Sequence, residues 1–202
     1  MLRGVYHSGT VTVFNSTGTN PLQLWSTAVS AADFDNSSIS ISKDETDENS
    51  SEIQIDGNVL TIKSSHLRDT FITCPKGLNE TLGIKLPFVT IQLKNLNHLF
   101  SFEIETLDDH KLTRRFRASN YQTETQLDHD IATFPLRLEQ GWNYLTFDLE
   151  DMTRRLYGRK HCETLRITIH ATIGLRLVMF SDRIVPEEQL PSELRMYSVL
   201  QD

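Results

Sequence analysis

The sequence predicts an all-β protein, an antiparallel β-sandwich or jelly roll interrupted by two short helices. Three observations predict it. Apolar and polar residues alternate at period two through most of the chain, runs of helical spacing are scarce, and turn residues cut the alternation into about ten strands, which favours two layers over one open sheet. With 202 residues, 38% of them hydrophobic, the chain is long enough for one domain with a substantial core and short for two. Residues 1–202 are therefore expected to form a single sandwich domain.

Taken in order, strands are expected at Thr10–Phe14, Leu22–Trp25, Ile53–Ile55, Val59–Ile62, Thr70–Thr73, Leu82–Leu86, Phe88–Lys94, Leu99–Thr106, Leu112–Ser119, Ala132–Leu138, Asn143–Leu149, Thr164–Ala171 and Leu175–Ser181. Asp56-Gly57 lies between two alternating runs and reads as a tight hairpin turn, whose central residues need positive φ. From Ala31 to Ser51 nearly every residue is Ser, Asp, Asn or Glu, with Phe34, Ile39 and Ile41 as the anchors available. Such a composition predicts an acidic, Ser-rich surface loop over 33–52 that contributes little to folding. Leu99–Thr106 and Leu112–Ser119 are expected to form a hairpin closed by Asp108-Asp109-His110, with Phe102 opposite Phe116 inside and Glu103 opposite Arg115 outside. Leu149, Met152 and Leu156 share a helical face, with Asp148 placed to cap the helix and Gly158 to end it. Pro186 to Tyr197 reads as a second helical region, split by Pro191.

The formal charge of -7 is local. Eight acids and one base, Lys43, fall between Asp33 and Asp56, which leaves the remainder of the chain balanced. Within that remainder the bases gather in two runs, Lys111, Arg114, Arg115, Arg117 and Arg154, Arg155, Arg159, Lys160. Exposed, they would make basic patches on an acidic protein. Cys74 and Cys162 are the only cysteines, which argues against a disulfide-built fold and for a reducing compartment. No apolar run reaches the ~20 residues of a membrane span and Met1–Phe14 lacks a signal-peptide layout, so the chain reads as soluble and intracellular. The sequons at Asn15, Asn36, Asn49 and Asn79 then read as chance.

Catalytic constellations are missing: there is no nucleophile elbow, no dinucleotide fingerprint, and Thr10 stands where a phosphate loop would need Lys. The seven histidines are scattered, and Asp128-His129-Asp130 and His161-Cys162-Glu163 lack a further ligand at metal-site spacing. No cofactor or metal is implied. Cys162 and His161, as strand neighbours, would face opposite sides, and both thiols read as buried and inert. Trp25, Trp142, Tyr144 and Tyr157 could form a sugar-stacking platform, although core packing is the favoured reading. Acidity of the whole chain argues against nucleic acid as a partner.

Phe71-Ile72-Thr73-Cys74-Pro75, Thr81-Leu82-Gly83-Ile84-Lys85-Leu86-Pro87-Phe88, Arg114-Arg115-Phe116-Arg117-Ala118-Ser119-Asn120-Tyr121-Gln122, Gly141-Trp142-Asn143 and Phe180-Ser181-Asp182-Arg183 together resemble the cilia- and flagella-associated protein twenty family. The resemblance runs from about Tyr6 to Tyr197. It implies a β-sandwich like those of carbohydrate-binding modules, without enzymatic activity, in the axoneme, at the inner junction where the A- and B-tubules of doublet microtubules meet. Implied partners are α/β-tubulin, a Parkin co-regulated-type protein and other microtubule inner proteins, with no membrane or nucleic acid, and the implied location is the cytoskeleton of the cilium or flagellum and the cytoplasm. Ser26–Ile53 departs from the family pattern, since an acidic stretch replaces a shorter, more basic segment, and Leu127–Ile131 is more acidic than usual. Because tubulin surfaces are acidic, Lys111, Arg115, Arg117, Arg154 and Arg155 are the candidate contacts; Arg114, on the inward face, is expected to be buried against a carboxylate. The alternatives are a glycan- or small-ligand-binding module of the same fold, which would need aromatic faces in a groove, and a divergent paralogue placed elsewhere in the axoneme.

Overall fold

The computed structural model describes Leu2, residues 9–44, Ile55 and residues 57–196. In chain order the strands are β1 (Thr10–Asn15), β2 (Ser26–Ala28), β3 (Ser38–Lys43), β4 (Asn58–Lys63), β5 (Phe71–Cys74), β6 (Phe88–Asn95), β7 (Ser101–Asp108), β8 (Thr113–Ser119), β9 (Gln126–Leu127), β10 (Ile131–Pro135), β11 (Gly141–Asp148), β12 (His161–His170) and β13 (Ile173–Ser181). One sheet runs β11-β6-β13-β4-β3, with β1 also paired to β13. The other runs β2-β5-β12-β7-β8-β10-β9. Side chains from both, among them Leu60, Ile62, Ile91, Leu93, Ile72, Phe102, Ile104, Phe116, Ile167 and Ile169, form one buried cluster, so the two layers make the expected sandwich.

The centre of the first sheet is β13, whose nine residues are all buried. A strand buried on both faces reads as a continuous apolar run rather than an alternation. Ile173, Leu175, Val178 and Phe180 join the cluster between the sheets. Leu177 and Met179 instead meet Val185 and Leu190 on the other side, where the segment after β13 folds over them. That segment holds two 3-10 turns, Glu187–Gln189 and Ser192–Leu194, separated by Pro191. The second helical region is thus split as expected, but each part is a single tight turn rather than an α-helix. The first helix, α1 (Leu149–Tyr157), has the expected ends: the Asp148 side chain accepts from the Asp151 amide, and Gly158, at φ 64°, donates its amide to Arg154 O. Among the described residues no helix is long and apolar enough to cross a membrane.

Several expectations are corrected. Residues 33–44 are not a loop: Phe34–Asn36 is a 3-10 turn and Ser38–Lys43 is strand β3, paired with β4 from Ser38 opposite Lys63 to Lys43 opposite Asn58. Ser-Ile-Ser-Ile-Ser is an alternation, and its Ile39 packs on the core. Asp44, just past the strand, is 4% exposed. The remainder of that stretch and the expected strand Ile53–Ile55, apart from Ile55 itself, lie outside the described residues, as does Asp56 of the expected turn. Leu22–Trp25 is a turn leading into β2, and Leu82–Leu86 contributes one isolated bridge, Ile84 to Thr164. The sheets are not wholly antiparallel, because β10 pairs with β8 in parallel, Ile131 opposite Arg115. The chain runs out to the edge at β9 and doubles back, which inserts β10 beside β8 in β8's own direction.

The hairpin β7–β8 forms with Phe102 and Phe116 both buried, but the register differs by two residues. Phe102 lies opposite Ala118, Ile104 opposite Phe116, Glu103 opposite Arg117 and Glu105 opposite Arg115. The loop is Asp109-His110-Lys111, one residue later than expected, because Asp108 and Leu112 close it through the Asp108 N–H to Leu112 O bond of 3.0 Å. Lys111 takes the left-handed position, φ 60°, that such a three-residue turn requires. A shift of two keeps every side chain on its face, so the apolar alternation is satisfied by either register.

Candidate partner-binding surface

Alternation along β8 turns Arg114, Phe116 and Ala118 inward and Thr113, Arg115 and Arg117 outward. Arg114 is buried as expected, with Nε 2.9 Å from Asp108 Oδ2 and its guanidinium over the Tyr157 ring, 4.4 Å from the centroid. Against the burial that would raise it, bonds from the Leu112 amide, Arg114 and the His110 amide hold the Asp108 carboxyl below its ordinary range. Charge and turn geometry are therefore fixed by one carboxylate.

Each outward arginine among the candidates meets a carboxylate of this chain. Arg115 Nη2 lies 3.0 Å from Asp130 Oδ2. Arg117 donates from Nε and Nη2 to Glu103 Oε1 at 3.0 and 2.7 Å. Glu103 also lies 3.6 Å from His170 Nε2; the imidazole, opposed by burial and joined by Arg117, holds its carboxyl down to about 2. On α1, Arg154 and Arg155 both pair with Asp151, from three and four residues away, with Arg155 Nε at 2.6 Å. Bonds from Arg115 and from Arg154 are the leading causes that hold the Asp130 and Asp151 carboxyls below their ordinary range. Exposed pairs contribute little stability, ~0–1 kcal/mol, yet they offset the charge that each arginine can offer a partner. Lys111, at the hairpin tip, is exposed and forms no ion pair with a described carboxylate.

Sequence reasoning grouped Arg159 and Lys160 with the second basic run but did not place them at the site. The structure sets both against the β7–β8 turn: the Asp109 amide donates to Lys160 O at 3.1 Å, and Arg159 Nη1 donates to His110 Nε2 at 3.0 Å. The two basic runs therefore meet at their Lys111 and Arg159-Lys160 ends. A second missed feature is the buried pair Lys94 Nζ to Asp44 Oδ1, 2.8 Å. Asp44 Oδ2 also accepts from Trp142 Nε1 and from the Ile55 amide, each at 3.0 Å.

The two tryptophans sit in the interior, as the core reading has it, and the two tyrosines are half-buried against the core clusters. Trp25 is 2% exposed, with its indole donating to Val13 O, and Trp142 is 9% exposed. Tyr144 donates to Val185 O, and Tyr157 packs on Phe116 and Arg114. A groove of ≈ 570 Å³ does open beside Glu103, Arg117, His170, Arg68, Tyr121 and Gln126, but none of those four rings lines it. Cys74 is buried, and burial pushes its thiol up to about 12. Cys162 is exposed, contrary to expectation, because a bulge in β12 between His161 and Glu163 takes it out of the ladder. Partial burial, with Asp109 and Asp108 nearby, raises its thiol as well. Burial lowers His161 to about 4, so neither cysteine has an activated thiolate. No three His, Cys, Asp or Glu side chains gather as a metal site among the described residues.

The CFA20 domain matches residues 1–198. Cilia- and flagella-associated protein 20 of Chlamydomonas reinhardtii is 42% identical over 201 residues, covering 100% of this chain and 99% of that protein. The Caenorhabditis elegans protein of the same name is 42% identical over 197 residues, 98% of this chain and 91% of its own, and that of Paramecium tetraurelia 42% over 201 residues, 100% and 98%. Among solved structures, a family 11 carbohydrate-binding module from Clostridium thermocellum aligns over 87% of this chain and 97% of its own, at 9% identity and a TM-score of 0.46. Identity of this level over nine-tenths or more of each ciliary protein, with the domain match over residues 1–198, makes the chain a member of the CFA20 domain family of cilia- and flagella-associated proteins.

Proposed function

We propose that the protein is a non-catalytic structural component of the axoneme, seated at the inner junction where it helps join the A- and B-tubules of doublet microtubules. Its partners in this reading are α/β-tubulin, a Parkin co-regulated-type protein and other microtubule inner proteins. The observation that carries the reading is the full-length likeness to ciliary proteins. Two further features support it: the thiols are not activated, and Trp25 and Trp142 are spent on the core rather than on a glycan platform. Attachment through basic side chains to acidic tubulin would be salt-sensitive, since surface attraction is screened over about 8 Å at physiological ionic strength. The test is expression of the tagged protein in ciliated cells that lack their own family member, followed by imaging of intact doublets in the electron microscope. Tag density along the seam between the tubules is expected. A protein found only in the soluble fraction of isolated cilia would overturn the reading.

A further inference from the structure

Within the two basic runs, three cations at one corner of the sandwich stand apart. Arg114, Arg115, Arg117, Arg154 and Arg155 each pair with a carboxylate, whereas Lys111, Arg159 and Lys160 form no ion pair with a described carboxylate. They sit on backbone that is already fixed. Asp108 accepts from the amides of His110 and Leu112, both at 2.9 Å, and the Lys111 amide donates to Asp108 O at 3.0 Å. The turn is tied in turn to the link after α1, through Asp109 N–H to Lys160 O at 3.1 Å, and Arg159 is steadied on His110. Asp109 is the acid at this corner, and its Oδ1 faces the Lys160 amide at 3.4 Å.

We infer that Lys111, Arg159 and Lys160, brought together by the β7–β8 turn and the link after α1, form a docking point for a carboxylate-rich peptide segment of a partner. An incoming carboxylate meets cations with no ion pair to a described carboxylate to break, on loops that need not be ordered first, so less of its interaction is lost to competition or entropy than at the paired arginines. The net charge of -7 gives the chain no long-range attraction for a nucleic acid or an anionic membrane, whereas a short acidic segment needs only the field of this corner. The inner-junction reading would supply the partner, but the binding itself does not depend on it.

Fluorescence anisotropy of the purified full-length protein with a labelled oligoglutamate peptide tests the inference, with a single-stranded oligonucleotide and phosphatidylserine vesicles as further probes. The triple variant K111N/R159Q/K160Q, in which Asn suits the positive φ at 111, is expected to bind the peptide about tenfold more weakly, whereas R154Q/R155Q binds as the wild type does. Should the triple variant melt early, R159Q/K160Q provides the same comparison with the turn untouched. Equal peptide affinity in variant and wild type would overturn the inference. So would a loss confined to the oligonucleotide or the vesicles. Wild type seated on doublets while peptide affinity is unchanged in the variant refutes the corner and leaves the axonemal reading; wild type absent from doublets while the variant loses the peptide does the reverse.

Discussion

Replacing Asp44 by Ala removes an acceptor from three buried groups at once: the Lys94 ammonium, the Trp142 indole N–H and the Ile55 amide. Lys94 is 6% exposed and Asp44 4%, so water cannot replace what is lost. Breaking a buried ion pair by deleting one partner typically costs about 3–5 kcal/mol, since the other charge stays buried. In a domain of about 200 residues each kcal/mol shifts the melting temperature by roughly 2–4 °C, which sets the expected fall for Asp44→Ala at roughly 6–20 °C. Urea unfolding followed by far-UV circular dichroism, with a matching melt, measures it. The double variant D44L/K94M should recover part of the loss, because it removes both charges; the indole and the amide still lack their acceptor. A loss below about 1 kcal/mol for Asp44→Ala would refute the reasoning and return this end of the acidic stretch to a surface loop.

Glu103, held at about 2 by His170 and Arg117, has a folded value below its unfolded one of about 4.3. Its stabilisation is fully present above that unfolded value and is lost as pH falls through about 2, so the cost of Glu103→Gln should be full at neutral pH and shrink steadily as pH falls from about 4 towards 2; a pH-independent difference would sink this account. Arg154→Ala and Arg155→Ala remove pairs whose arginine side chains are 71% and 75% exposed, and should each leave the midpoint of a urea titration where the wild type has it.

Much of the fold was legible in period-two alternation, and α1 in its Asp148 and Gly158 caps, because those signals are local. Strand β3 was hidden by composition: Ser-Ile-Ser-Ile-Ser alternates, but serines and acids around it read as loop, and the buried role of Asp44 depends on Lys94 and Trp142, far along the chain. The β7–β8 register escaped because a two-residue slip conserves faces; turn chemistry at Asp108 and Lys111 decides it. At the candidate surface, the pairing of Asp151 with Arg154 and Arg155 was readable from helical spacing. The partners of Arg115 and Arg117 come from Asp130 and Glu103, and a parallel β10 that no local pattern announces brings the first of these into place.

The position of β13 bears on how the molecule is made. It is the last strand in chain order among the described residues, yet β1, β4 and β6 all pair with it, so the first sheet has no centre until the chain has been synthesised past Ile173. During translation the apolar faces of β4 and β6 must wait, and the closing contacts join residues as distant as Thr10 and Ser181. Such sequence separation slows folding and exposes unfinished sheet edges to aggregation. A nascent chain of this protein should therefore depend on chaperones until β13 has left the ribosome, and any message truncated before Ile173 should yield insoluble product rather than a smaller sandwich.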